Sequence, residues 1–350
     1  MSRFLSKGRE ALAPYTPGEQ PKVSNLIKLN TNESPFPPSP KVIEAVSAEA
    51  VSRLRLYSDI QTTGLVQAIA ERNGLEPEQI ITGNGSDEIL AFAFQAFGEG
   101  GVTFPDITYG FYPVWAQLFG CPARIVPLRE DFTVPLEQMM DNSSMVVLAN
   151  PNAPTGIALP MTDIRRLLEK NPDQVVVIDE AYADFAEESA VSLIGEYENL
   201  LVVQTFSKSR QLASGRLGFA MGNQALIADL NRIKFSFNPY NVNALTQLAG
   251  EAAMRDEEYF MTCRNKIIGA RQWTTEELRK LGFDVIDSSA NFIFAAPRFM
   301  GGREYLNALR ERNILVRHWE SGRIRDYVRI TVGTMEQMER LIEVTKELMK

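Results

Sequence analysis

Leu200-Leu201-Val202-Val203-Gln204-Thr205-Phe206-Ser207-Lys208 passes within nine residues from an apolar run to two hydroxyls and a lysine. A run this apolar and rich in β-branched residues predicts a strand buried on both faces of a sheet, over 200–205. Three more segments share the design. Gln79–Thr82 leads into Gly83-Asn84-Gly85-Ser86-Asp87-Glu88, and Met145–Ala149 into Asn150-Pro151-Asn152-Ala153-Pro154-Thr155-Gly156. Val175–Ile178 ends in Asp179-Glu180-Ala181-Tyr182. Helical patterns at Ser86–Phe97, Thr162–Lys170 and Gln224–Lys234 alternate with these strands. The alternation predicts an α/β, mostly parallel, doubly wound sheet. In such sheets ligands bind beyond the carboxyl ends of the strands, so four polar strand ends would meet on one rim.

Around that core the chain changes character twice. Residues 1–40 carry Pro14-Tyr15-Thr16-Pro17-Gly18 and Pro35-Phe36-Pro37-Pro38-Ser39-Pro40, which cannot be helix interior, with a short strand expected at Leu26–Leu29. This reads as an N-terminal arm. Residues 41–254 form the large domain, beginning with helices at Lys41–Arg53 and Gly64–Asn73. Residues 255–350 read as a smaller α/β domain packed with the arm. Its expected elements are a long helix over Asp256–Leu281, strands near Phe283–Ile286, Asn291–Ala296, Ile314–Arg317 and Tyr327–Val332, and helices at Arg303–Asn313 and Met335–Met349.

Composition removes several chemistries. The net charge is -8, which argues against nucleic acid, and no polybasic run points to a membrane surface. No apolar core follows the basic Met1–Arg9 stretch, so a secretory leader is not expected, and no apolar run reaches spanning length. The two cysteines, Cys121 and Cys263, fit a reducing cytoplasm. His318 is the only histidine. A histidine-based zinc site and a nucleophile-elbow triad are therefore not expected, and no metal is assigned. Proton transfer falls to lysine, tyrosine or carboxylates.

Lys208 is followed eight residues later by Arg216, in a loop containing Gly215. An amine that condenses with a carbonyl, beside a cation that holds a phosphate, points to pyridoxal 5'-phosphate. Asp179, at the end of a buried strand, either pairs with the protonated ring nitrogen or caps the next turn. Tyr182 and Asn152 are donors for the ring oxygen, or a core tyrosine and a turn asparagine. Gly85, Ser86 and Asp87 open a helix and offer backbone N–H groups to the phosphate, joined by Thr205, Ser207 and Arg216. Tyr109 either stacks on the ring or packs in the core. Arg329 alternates with Val328 and Ile330 on a strand and suits a carboxylate clamp, and Arg317 a second anion clamp or a surface arginine. Arg323 and Arg325 are expected in solvent, and His318 at the lip of the site.

Taken together, these motifs resemble the fold type I aminotransferases that use this cofactor, and within them the histidinol-phosphate aminotransferases. The resemblance spans nearly the whole chain and rests on Leu29–Phe36, Gly83–Glu88, Asn150–Gly156, Asp179–Tyr182, Ser207–Arg216, Asn291-Phe292 and Tyr327–Thr334. It departs at Ser58, where the family commonly has proline in Tyr-Pro-Asp, and at Ser214-Gly215, where the glycine has moved by one. The resemblance implies a cytoplasmic homodimer in which Tyr57 reaches the phosphate of the partner subunit's cofactor. It implies that Tyr15 and Arg317 bind the substrate phosphate, that Arg329 binds a carboxylate, and that Asn32 lies on the substrate side. The implied reaction moves an amino group from L-histidinol phosphate to 2-oxoglutarate. An aromatic amino-acid aminotransferase and a threonine-phosphate decarboxylase would use nearly the same residues; a regulator that binds the cofactor without turnover is disfavoured, because no DNA-binding segment is appended and the charge is acidic.

Overall fold

A computed structural model describes residues 3–6, 9–16, 18–21, 25–140, 143–320 and 322–350. Pro17 of the first proline segment lies outside the described residues. In chain order the strands are β1 (Ile27–Lys28), β2 (Ile80–Gly83), β3 (Val102–Pro105), β4 (Ala123–Val126), β5 (Met145–Ala149), β6 (Val176–Asp179), β7 (Leu200–Thr205) and β8 (Gly218–Gly222), then β9 (Phe283–Ile286), β10 (Phe292–Pro297), β11 (Ile314–Leu315), β12 (Arg317–His318) and β13 (Val328–Thr331).

The large sheet has the order β2-β8-β7-β6-β5-β3-β4. Only β8 runs against the other strands. Its central strands read as unbroken apolar runs because both faces are covered. Val146, Leu148, Val176, Ile178, Leu200 and Val202 pack on one side, with helices Thr63–Asn73, Met161–Glu169 and Ala244–Met254. Met145, Val147, Val177, Leu201 and Val203 pack on the other, with helices Ser86–Phe97 and Tyr112–Phe119. Period-two alternation sends successive side chains into different cores, so the middles of the central strands are apolar on both faces. This is the doubly wound α/β arrangement.

A second sheet, β12-β13-β10-β9, is antiparallel throughout and packs against helices Glu257–Lys280, Gly302–Arg310 and Met335–Leu348. β1, from the arm, pairs in parallel with β11. The strand expected over Ile314–Arg317 is divided: Ile314 and Leu315 face β1, while Arg317 and His318 join β13. The helix expected over Lys41–Arg53 is also divided, into Pro40–Ala45 and Ala48–Ser52. Ser47 accepts a hydrogen bond from the Ala50 N–H and starts the second piece as its cap.

β8 presses onto the start of helix Ser86–Phe97. A side-chain carbon added at Gly218 would overlap the Ser86 amide nitrogen and lie 2.6 Å from the Gly85 carbonyl carbon. Backbone cannot yield as a side-chain tip can, so Gly218→Ala is expected to lower stability by about 1–3 kcal/mol. Urea unfolding checks this; an unchanged midpoint would contradict the close approach.

Candidate active site

Strands that share a direction deliver their carboxyl ends to one rim, and two adjoining cavities of about 540 and 690 Å³ open there. Lys208, Tyr182, Tyr109 and Tyr15 border both. The larger holds Ser86, Asp87, Asp179, Thr205, Ser207 and Arg216. The smaller holds Asn32, Arg317, Trp319, Arg323 and Arg329. Lys208 thus stands between a compartment from the large sheet and one that includes the small sheet.

In the inner compartment, helix Ser86–Phe97 begins at Gly85 with φ +84° and no side-chain cap. Its first amides are therefore available to an anion, and the helix dipole adds positive potential. Arg216 donates to Asp87 at 3.1 Å, and Tyr109 donates to the other oxygen of that carboxylate at 2.8 Å. Thr205 donates to Ser207 Oγ at 3.0 Å, gathering two hydroxyls under Lys208. Gly85 also lacks a replacement, because its φ of +84° lies in the left-handed region that residues with a side chain rarely adopt.

Asp179 is buried at the end of β6. Burial raises its pKa to about 6, against the pull of hydrogen bonds from the Tyr112 hydroxyl (2.7 Å) and the Ala181 N–H (3.2 Å). No cation forms an ion pair with it among the described residues. Among the described residues Lys208 Nζ donates only to the Thr31 carbonyl, at 3.2 Å, and burial followed by the positive charge of Arg329 lowers its pKa to about 8. Glu33, the acid that acts most strongly on Lys208, is already bound by Lys28. An unpaired buried carboxylate, a partly neutral amine and an anion cradle fit the ring nitrogen, aldehyde and phosphate of pyridoxal phosphate.

On the outer side, Asn32 donates to the Tyr182 hydroxyl at 2.9 Å and accepts from Thr331 at 3.0 Å. Tyr182 also packs edge-on against Phe292. Arg329 donates to the Asn30 carbonyl at 3.0 Å, while its Nε is buried without a partner. Burial lowers its pKa, and no carboxylate pairs with it among the described residues. Such a guanidinium is prepared for an incoming anion. Arg317 donates to the Thr16 carbonyl at 3.2 Å. Tyr15 stacks on Phe111 at 4.3 Å and stands at the mouth.

One expected residue, Asn152, lines neither cavity, and Tyr57, expected to serve the partner subunit, lies apart from Lys208 in this chain. Asn152 donates to Ile107 O and Thr155 Oγ and accepts from Thr108, so its amide ties loops together and does not line either cavity. Tyr57 is 85% exposed and stacks on Tyr240 at 4.6 Å, away from Lys208. Arg323 is not simply solvated: it donates to the Leu128 and Arg129 carbonyls and pairs with Asp106 at 3.3 Å, and it lines the outer cavity. His318 is not at the lip; it faces a separate small cavity and its Nε2 lies 2.7 Å from the Arg325 carbonyl oxygen. Tyr112 and Trp319 escaped sequence reading. Tyr112 opens a helix whose apolar residues follow no clear stripe, and Trp319 follows a two-residue strand.

The family model for aminotransferase class I and II matches residues 24–344. The chain belongs to the class I and II aminotransferases. It is 50% identical to histidinol-phosphate aminotransferase 1 of Bradyrhizobium diazoefficiens, covering 99% of this chain and 100% of that protein. It is 51% identical to the histidinol-phosphate aminotransferase of Acetobacter pasteurianus, covering 100% and 99%. Among solved structures, the histidinol-phosphate aminotransferase of Sinorhizobium meliloti in complex with pyridoxal-5'-phosphate superposes with a TM-score of 0.86 at 23% identity, over 99% of both chains. That likeness bears on fold.

Two measurements follow for this aminotransferase. In cofactor-free protein Lys208 should titrate near 8, well below an ordinary lysine. Competitive acetylation with mass mapping should show its reactivity rising through pH 8 as the neutral amine appears; a rise only above about pH 10 would contradict the burial argument. Tyr112→Phe removes a donor that favours ionised Asp179, so the Asp179 pKa should rise further. In cofactor-free protein the Asp179 carboxyl, followed by isotope-edited infrared absorption, should then titrate at higher pH in the variant, and an unmoved titration would remove Tyr112 from this role.

Proposed function

We propose that this chain is a pyridoxal-phosphate-dependent transaminase that moves the amino group of L-histidinol phosphate to 2-oxoglutarate, giving imidazole acetol phosphate and L-glutamate in histidine biosynthesis. The observation that carries the choice of donor is half-identity, over essentially the full chain, to proteins named for that reaction. The outer cavity agrees chemically, because three arginines, Arg317, Arg323 and Arg329, border it together with Lys208.

When bound, pyridoxal phosphate supplies a ring that withdraws electrons from the substrate α-carbon. The backbone N–H groups of Ser86 and Asp87, the hydroxyls of Thr205 and Ser207 and the Arg216 guanidinium would hold its phosphate, with the positive φ of Gly85 opening the cradle. Asp179 would keep the ring nitrogen protonated, which also relieves the cost of burying that carboxylate. The Tyr182 hydroxyl, oriented by Asn32, would donate to the ring oxygen. Lys208 would carry the cofactor between turnovers, and its Nζ would take the proton from the α-carbon and return it. A pKa of about 8 suits a base at neutral pH. Arg317 with Tyr15 would receive the phosphate of the donor, and Arg329 the carboxylate of the acceptor.

The same reading makes residues 1–40 an arm, 41–254 a large domain and 255–350 a small one. Two sheets without a shared strand, and the β1–β11 pairing, support it. It also makes the protein a homodimer whose Tyr57 serves the cofactor phosphate of the partner. Support comes from exposed Tyr57, Leu54, Leu56 and Phe237, an apolar surface that a second copy would cover. A cytoplasmic location fits the reading, and no described helix is long and apolar enough to cross a membrane.

Single-turnover absorbance tests the donor. The cofactor should convert from its aldehyde to its amine form rapidly with histidinol phosphate and slowly with phenylalanine; the reverse order would assign an aromatic substrate. Lys208→Ala should retain the fold by circular dichroism and lose turnover by at least about a thousandfold, as expected when the base that moves the proton is removed. Substantial transamination in that variant would refute the role of Lys208.

A further inference from the structure

Arg317 and Arg329 are direct cross-strand neighbours on β12 and β13. Like charges placed directly opposite on one sheet face repel. Trp319 lies just beyond β12, two residues after Arg317. Its ring centroid is 5.5 Å from Arg317 Cζ and 5.4 Å from Arg329 Cζ. One indole therefore meets both guanidiniums, and all three border the outer cavity with Lys208. Phe292 adds a second ring, 5.3 Å from Arg329 Cζ. The electron-rich face of an indole attracts a guanidinium without neutralising it. An acid in the same place would also hold the arginines but would consume their capacity for an anion.

We infer that Trp319 is a positioning residue for anion specificity: its indole keeps Arg317 and Arg329 together as a pair, so that the outer cavity favours a dianionic phosphate monoester over a single carboxylate. The inference rests on the proposed site. A phosphate has oxygens for both guanidiniums, whereas a carboxylate is satisfied by one planar fork. Loss of the indole frees the two like charges to separate. Binding that needs both then weakens more than binding that needs one.

The test uses cofactor-loaded wild type, Trp319→Ala and Trp319→Phe. It compares KM and kcat for histidinol phosphate, and the inhibition constants of inorganic phosphate and of acetate, which carries one carboxylate, with glutamate as the amino donor. In Trp319→Ala the histidinol phosphate KM and the phosphate inhibition constant should rise about tenfold, and the acetate inhibition constant less than about threefold, with KM moving more than kcat. Trp319→Phe, which retains an aromatic face, should recover most of the loss. Equal weakening of phosphate and acetate, or wild-type values for both in Trp319→Ala, would overturn the inference. Should wild type refuse histidinol phosphate while the phosphate inhibition constant still rises in Trp319→Ala, the donor assignment fails and the role of Trp319 stands.

Discussion

A carboxylate and an amine are buried at the ends of neighbouring strands without neutralising each other. Asp179 ends β6, and Lys208 follows β7, its partner in the sheet. Burial pushes each towards its uncharged form: the acid up to about 6, the amine down to about 8. Two such groups in contact would recover much of the cost by pairing. Here Asp179 is held by Tyr112 and the Ala181 N–H, and Lys208 turns to Thr31. The fold keeps space between them, and a ring with a cationic nitrogen and an aldehyde would complete both.

The scaffold makes that separation affordable. Strands sealed on both faces fix their ends, because a slip by one residue would drive the wrong side chains into both cores. The anion cradle depends on the same rigidity, since Gly218 brings β8 against the amide start of helix Ser86–Phe97. The outer compartment is built differently. Arg317 and Arg329 come from the small sheet, Arg323 from the turn between its strands, and the first forty residues supply Tyr15, Thr31 and Asn32. On the proposed reading, ligand specificity and cofactor chemistry sit on separate parts of the chain that share Lys208.

Much of this was legible in the sequence where one physical signal dominated. Strands β5 and β7 and helix Ser86–Phe97 fall where apolar runs end abruptly in turn residues. Strand β8 was not legible: Gly218-Phe219-Ala220-Met221-Gly222 has the composition of a loop and becomes a strand only because β2 and β7 flank it. Edge strand β4 leaves Ala123, Arg124 and Ile125 exposed, so burial leaves no pattern there. The split of 314–317 between two sheets is a tertiary choice that alternation cannot encode. Among the site residues, charge and strand position revealed Lys208, Asp179 and Arg329. Tyr112 and Trp319 act through contacts made across distant segments, and Asn152 spends its amide on neighbouring loops.

The central claim is that Nζ of Lys208 is the group completed by the aldehyde. Borohydride reduction of the cofactor-loaded protein, followed by peptide mapping, tests it most directly. The account requires one stable label per chain, on the peptide containing Lys208, and a label that fails to form in Lys208→Ala. A label on another lysine, or none in fully loaded protein, would contradict it.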